Sequence, residues 1–294
     1  MTPFDLHQVL IDPVRISDQG SLSVLCGRSI PTPFYENQLA ASVTSQLGNK
    51  SIDRTKKRYI DDNTYNLRES INPDRKQFID YLTDSFRTIT EVTDSVDMPS
   101  FTPTCLGHYL AGASLIRLNS AFYWATIVAA HGHRFECQPL VRQVVEQLAW
   151  VMTVTRSDDE ATIGTNPQSC IRTLKSFFPG AGKFYGKLSE QSHIHTSMTS
   201  RYIAKSGPQH KIVLADPICG ELAVDIAYAT DMFCCVFEYV FHRSIHNLQS
   251  IELDPNSGKV HFSPERGNQI KLRETRDWNA GLDATKDRGC EKSE

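Results

Sequence analysis

The sequence predicts a mainly all-α fold, a multi-helix bundle, and three observations carry that expectation. Apolar residues recur at three- and four-residue spacing through most of residues 72–250, several of these runs open on a cap residue followed by proline, and no alternating strand–helix pattern interrupts them. The chain is expected to divide into an irregular N-terminal extension (1–71), the helical-bundle domain (72–250), and a small hairpin with a disordered tail (251–294).

In the extension, RSIPTPFYENQ and GNKSIDRTKKRYIDDNTYN show scattered prolines and polar runs without periodicity, with short strands expected only around Ser21 to Leu25. From residue 72 the character changes. Asn72-Pro73 supplies an N-cap and a first-turn proline whose missing N–H costs nothing there, and Phe78, Ile79, Leu82, Phe86, Ile89 and Val92 then form one stripe ending before Met98-Pro99.

A second helix, from Leu106 to Ala130, is rich in Ala, Gly and Ser, which allow neighbouring helices to approach closely; it is expected to be central and to stop at Gly132. Pro139 is expected to open a third helix with Leu140, Val141, Val144, Val145, Leu148, Val151 and Met152 on one side, and Arg142, Gln143, Glu146 and Gln147 on the other. Asn166-Pro167 repeats the cap-plus-proline start for a short helix, and KFYGKLSEQSH continues as another. Asp216-Pro217 is expected to cap a long helix reaching Leu248. On it Leu222, Ile226, Phe233, Val236, Phe237 and Val240 face the core, while Glu221, Asp225, Asp231, Glu238, His242 and His246 face solvent. IELDPNSGKVHFSPE reads as the small hairpin, and the chain beyond Asn279 as disordered.

Composition narrows the function classes. With 294 residues, 40% of them apolar, the chain can bury a core without help from a metal or cofactor, so none is expected. A net charge of −3 gives no global drive toward nucleic acid; the densest basic run is Arg54, Lys56, Lys57 and Arg58. MTPFDLHQVLIDPVR does not read as a secretory signal, and His108, Arg117 and Asn119 interrupt the longest apolar stretch, which predicts a soluble, cytoplasmic protein without a membrane span. Eight cysteines without C-x-x-C spacing predict reduced thiols.

Several metal readings fall short of a ligand set. His131 with His133, and His193 with His195, are His-x-His pairs without a third ligand at recognisable spacing; Glu238, His242 and His246 line a stripe that a solvated helix face explains. Glu190 and His193 form a lone E-x-x-H, whereas a di-iron bundle needs two. There is no G-x-S-x-G for a serine nucleophile, and nothing singles out one cysteine. Chelators are therefore expected to leave stability unchanged.

The constellation with most content is Arg142 with Glu146, one helical turn apart, followed by LSEQSH with Ser189 and His193, and by His195. Leu140 to Glu146 and Tyr185 to His193 resemble bacterial helical proteins in which an R-x-x-x-E helix precedes a Y-x-x-L-S-x-x-x-H segment. The resemblance spans about residues 105–200, and the helical layout is distantly similar to HEPN bundles. Several of those are RNA-cleaving toxins or defence proteins, which implies a role in bacterial stress or phage defence. This chain departs from them, because Arg201 stands too far before His210, and Arg243 too near His246, for the Arg-then-His spacing of those ribonucleases.

Two functions follow as expectations. The first is a non-catalytic interaction or regulatory protein whose polar groove takes a protein partner, a second copy of the chain or a small ligand. The second is a metal-independent endoribonuclease in which His193 or His195 acts as base and Arg142 stabilises the phosphorane, with Glu146 and Ser189 in the same catalytic group and RNA as partner.

Overall fold

The computed structural model describes residues 11–15, 23–27, 51–59, 73–192, 203–206, 209–212, 219–254 and 259–274. The fold is mainly α-helical, and among the described residues the strands form two-stranded antiparallel pairs. It divides into two compact units, Met1–Thr83 and Asp84–Glu294.

In the first unit β1 (Ile11–Arg15) pairs with β2 (Ser23–Gly27), which overlaps the expected strand, and α1 spans Ile52–Tyr59. Helix α2 (Pro73–Asp94) starts at the proline the sequence marks and runs into the second unit. Its stripe is buried as expected at Phe78, Ile79, Leu82, Phe86 and Ile89.

The second unit is built on α3 (Leu106–Ala130) and α4 (Arg134–Val154), packed along each other. Gly132, at φ 81°, is the only residue with positive φ among those described. It makes the expected stop: its N–H bonds the Ala129 carbonyl at 2.8 Å and the His133 N–H bonds that of Val128 at 3.1 Å, the two crossed bonds of a Schellman cap. The connection is so tight that α4 starts at Arg134 and not at Pro139. Proline was expected to mark a first turn; here it lies inside the helix, which forgoes one backbone bond at that point.

The short helices α5 (Glu160–Ile163) and α6 (Ile171–Phe177), the latter after a 3₁₀ turn at Pro167–Cys170, lead to α7 (Ala181–Ser192). Asn166 caps the 3₁₀ turn by accepting the Gln168 N–H at 3.0 Å, as its position before proline predicts. The β3 (Ile203–Ser206) and β4 (Gln209–Ile212) pair follows.

Helix α8 (Gly220–Phe241) is the axis of the core. Phe233, Phe237 and Phe241, each one turn from the next, stack along it; Phe122 of α3 meets Phe233 and Phe101 meets Phe241. Asp216 and Pro217 lie outside the described residues. Here the sequence expectation is overturned in large part: the helix stops at Phe241, and of the six residues expected to face solvent His246 alone is exposed. Asp225, Asp231 and Glu238 are all buried, and each has a specific partner supplied by another element. Lys187 reaches Asp225, Arg266 reaches Asp231, and the Glu238 carboxylate accepts the backbone N–H groups of Gln249, Ser250 and Ile251. Buried carboxylates are tolerated only when paired in this way. Because Glu238 is consumed by that turn and His242 and His246 lie past the helix end, the three do not form a stripe.

The expected hairpin is present as β5 (Ile251–Leu253) and β6 (Val260–Phe262). Helix α9 (Pro264–Glu274), which carries Arg266, was not anticipated. Its signal is the one used elsewhere: Ser263 precedes Pro264, and its Oγ accepts the Arg266 N–H at 3.4 Å. Residues beyond Glu274, including the expected tail, lie outside the described residues. Among those described, no helix is long and apolar enough to cross a membrane.

Candidate functional site

On α4 the residues Arg134, Gln138, Arg142 and Glu146 stand at four-residue intervals, so a single stripe of the helix carries all four. The stripe faces α7 and α8 rather than solvent. Arg142 Nε donates to Glu146 Oε1 at 2.9 Å, Arg142 Nη2 donates to the Tyr185 hydroxyl at 3.2 Å, and that hydroxyl donates to the same Glu146 oxygen at 2.8 Å. The guanidinium also lies 5.4 Å from the centre of the Tyr185 ring. The Arg142 and Glu146 side chains keep only 16% and 19% of their surface exposed, which puts them well inside the range where a pair matters. Burial pulls the Arg142 guanidinium down in pKa, but the Tyr185 and Glu146 bonds outweigh it and hold it above its ordinary value.

At the other end of the stripe the charges come from three helices. Lys187 of α7 lies 2.7 Å from Asp225 and 2.8 Å from Glu221, both on α8, and Arg134 of α4 pairs with Glu221. Burial raises Glu221, yet Lys187 and Arg134 together outweigh it and leave this carboxyl below its usual range. Asp225 is fully buried, and burial pushes its carboxyl up to about 6 despite Lys187. Arg134, Arg142 and Lys187 thus balance Glu146, Glu221 and Asp225, so the seam between the three helices is neutral.

Other polar atoms on α4 and α7 are buried without a partner. Gln138 is fully buried, and neither its Oε1 nor its Nε2 has a hydrogen-bond partner among the described residues. The same holds for Ser189 Oγ, Gln191 Oε1 and Arg134 Nε.

Of the residues singled out in the sequence, Arg142 and Glu146 meet, joined by Tyr185 of the Y-x-x-L-S-x-x-x-H segment. Ser189 follows Tyr185 by one turn of α7. His193 and His195 lie outside the described residues. Sequence reasoning missed Arg134, Gln138, Lys187, Glu221 and Asp225 as members of a site. The four-residue repeat on α4 and the Glu221/Asp225 pair on α8 were the available signals. Among the described residues no group of three His, Cys, Asp or Glu side chains is placed to hold a metal ion.

No family model, curated protein or solved structure matches the chain.

Two expected results follow from this geometry. Glu146→Ala leaves the Arg142 guanidinium and the Tyr185 hydroxyl without their shared acceptor in a mostly buried place, and it is expected to cost about 2 kcal/mol. A urea titration reads this directly, and a wild-type midpoint would mean a solvated pair. The second concerns pH. Asp225 binds a proton more readily folded than unfolded, so its contribution to stability falls as pH rises from about 4 through about 6. Glu221, held low, contributes stability above the ordinary glutamate range that is lost as pH falls through its folded value. In the difference between wild type and Asp225→Asn, wild type is expected to lose on the order of 2–3 kcal/mol between pH 4 and pH 7. Parallel stability–pH curves for the two proteins would refute this.

Proposed function

We propose that this protein is a non-catalytic interaction or regulatory protein, and that the polar seam between α4, α7 and α8 is its binding element. The observation that supports this reading is that Arg142, the residue a phosphoryl-transfer mechanism would need, already donates to Glu146 and to Tyr185. A group committed to two acceptors in the resting fold gives up those bonds to reach a phosphate, whereas as a fixed element it shapes and orients a binding surface. Buried polar atoms with unmet hydrogen-bonding capacity lie one turn away on the same stripe, which suits recognition. The partner class is a protein chain, a second copy or a small polar ligand.

Incubation of the purified protein with mixed-sequence RNA in EDTA tests the reading against the endoribonuclease alternative. No cleavage above the buffer control is expected. Cleavage that disappears in Arg142→Lys, a variant that keeps the charge but not the forked donor geometry, would overturn the binding reading and favour the ribonuclease.

A further inference from the structure

Helix α3 carries apolar residues on every side, a pattern that belongs to helices covered all round. One half of it faces the core, through Leu115, Leu118, Phe122 and Ala125. The other half does not. At about 100° per residue, Leu106, Tyr109, Ala113, Arg117, Ser120 and Trp124 fall within about 80° of one another, and all six are exposed. Leu106 keeps 49% of its surface open and Tyr109 and Trp124 keep 55% each, so the strip is a contiguous apolar surface of the kind that marks an interaction site.

Two charges border this strip. Arg117 has no ion pair among the described residues. Ser114, which accepts a bond from Gln147, marks the side of α3 turned to α4, and of the six strip residues Arg117 lies nearest that side. Asp158, just past the end of α4, is exposed and accepts the Leu106 N–H through Oδ1 at 2.7 Å, which sets a carboxylate at the start of α3. Arg117 stands about 16 Å further along the same helix. The strip thus has an acid and a bulky tyrosine at one level, and a small alanine and a free cation at the next.

A second copy laid antiparallel on the first matches these levels. With a two-fold axis close to residue 111, Tyr109 faces Ala113 of the second copy, a ring over a small side chain, and Arg117 reaches the start of the other α3, where Asp158 stands. A two-fold axis in the plane of contact keeps the α4 sides of both copies on one edge, so Arg117 and Asp158 meet there, and each contact is made twice. Centring the axis on Arg117 instead would set two cations against each other. A contact about 27 Å long and one helix, about 10 Å, wide removes on the order of 500 Å² from each copy, at the low end for a specific pair.

We propose that the outward face of α3 is a homodimer interface, in which two copies pair antiparallel with Tyr109 on Ala113 and Arg117 on Asp158. It uses none of the residues of the seam and goes beyond the binding reading given above.

Sedimentation velocity of the full chain tests it. Wild type is expected to dimerise reversibly with a Kd on the order of 10 μM, as the small area implies. Arg117→Asp sets two carboxylates together at each end of the contact and is expected to weaken association at least about tenfold, as Asp158→Arg does with two cations. An equimolar mixture of these two variants pairs opposite charges at both ends and is expected to regain near wild-type affinity as a heterodimer. Because Asp158 also caps α3, Asp158→Asn is the fold-preserving variant: it keeps the acceptor oxygen, and it is expected to hold the wild-type Tm while weakening the dimer. A wild type that stays monomeric at about 200 μM, well above that constant, overturns the proposal. So does a dimer unaffected by Arg117→Asp or by Asp158→Asn, or a mixture of two folded charge variants that stays monomeric.

Discussion

Lys187→Met is expected to destabilise the fold by about 3–5 kcal/mol at pH 7, the range for removing one partner of a buried charge pair. Lys187 keeps only 9% of its side-chain surface exposed, and it is the cation in contact with Asp225, whose side chain is fully buried. Methionine fills much the same space, so the loss is electrostatic: Asp225 is left inside the bundle with its nearest positive charge gone, and Glu221 retains only Arg134. Because burial already raises Asp225 to about 6, the stranded carboxyl can escape by taking a proton in acid. The deficit is therefore expected to shrink as pH falls from 7 to 5. Chemical denaturation at the two pH values checks this, and an equal deficit at both would show that Lys187 acts through packing alone. The double variant Lys187→Met with Asp225→Leu removes both charges and is expected to recover most of the loss.

Gly107→Ala carries the second large effect, and it concerns the joint between α3 and α4. The Gly107 N–H donates to the Ser157 carbonyl at 2.9 Å, which draws the start of α3 onto the end of α4. A Cβ at this position would lie 2.0 Å from the Val154 carbonyl oxygen and 2.5 Å from that of Ser157. Both obstacles are backbone, so no side chain can turn aside and the helix end must move. The expected cost is about 2–4 kcal/mol, at or above the upper part of the range for overpacked cores. Gly186→Ala is the internal control: this glycine lies within α7 with nothing within 4 Å of its added Cβ, and the substitution is expected to stabilise by up to about 1 kcal/mol through helix propensity. Calorimetric melts of the two variants should move in opposite directions. A Gly107→Ala melt at the wild-type temperature would mean that the joint is looser than its geometry.

His108 illustrates how a residue read in sequence as an obstacle to a membrane span becomes part of the core. Its Nδ1 accepts the Thr104 N–H at 3.0 Å, and its Nε2 lies 2.9 Å from the Val240 carbonyl, one of the last in α8 and without an acceptor role inside that helix. The ring thus ties the loop before α3 to the end of α8, with Phe101 set edge-on against it.

The helical class, most helix starts and the Gly132 stop were legible because they depend on local chemistry: proline at a first turn, a cap oxygen for free N–H groups, a glycine that can turn left-handed. The Arg142–Glu146 pair was legible for the same reason, since residues a turn apart meet whatever surrounds the helix. The inward side of α8 was not. Periodicity separates apolar from polar residues but cannot distinguish a polar face that meets water from one that meets the cations of other helices. Asp225 and Asp231 are buried only because Lys187 and Arg266, distant in sequence, arrive to neutralise them. Glu238 was misplaced likewise, because its partners are backbone N–H groups that carry no sequence signal. The sequence by itself determined a helical bundle, its principal breaks and one charge pair. Tertiary packing alone decided which polar faces lie inside, and so drew Arg134, Gln138, Lys187, Glu221 and Asp225 into one seam, since desolvation and long-range pairing belong to the assembled helices and to no single segment.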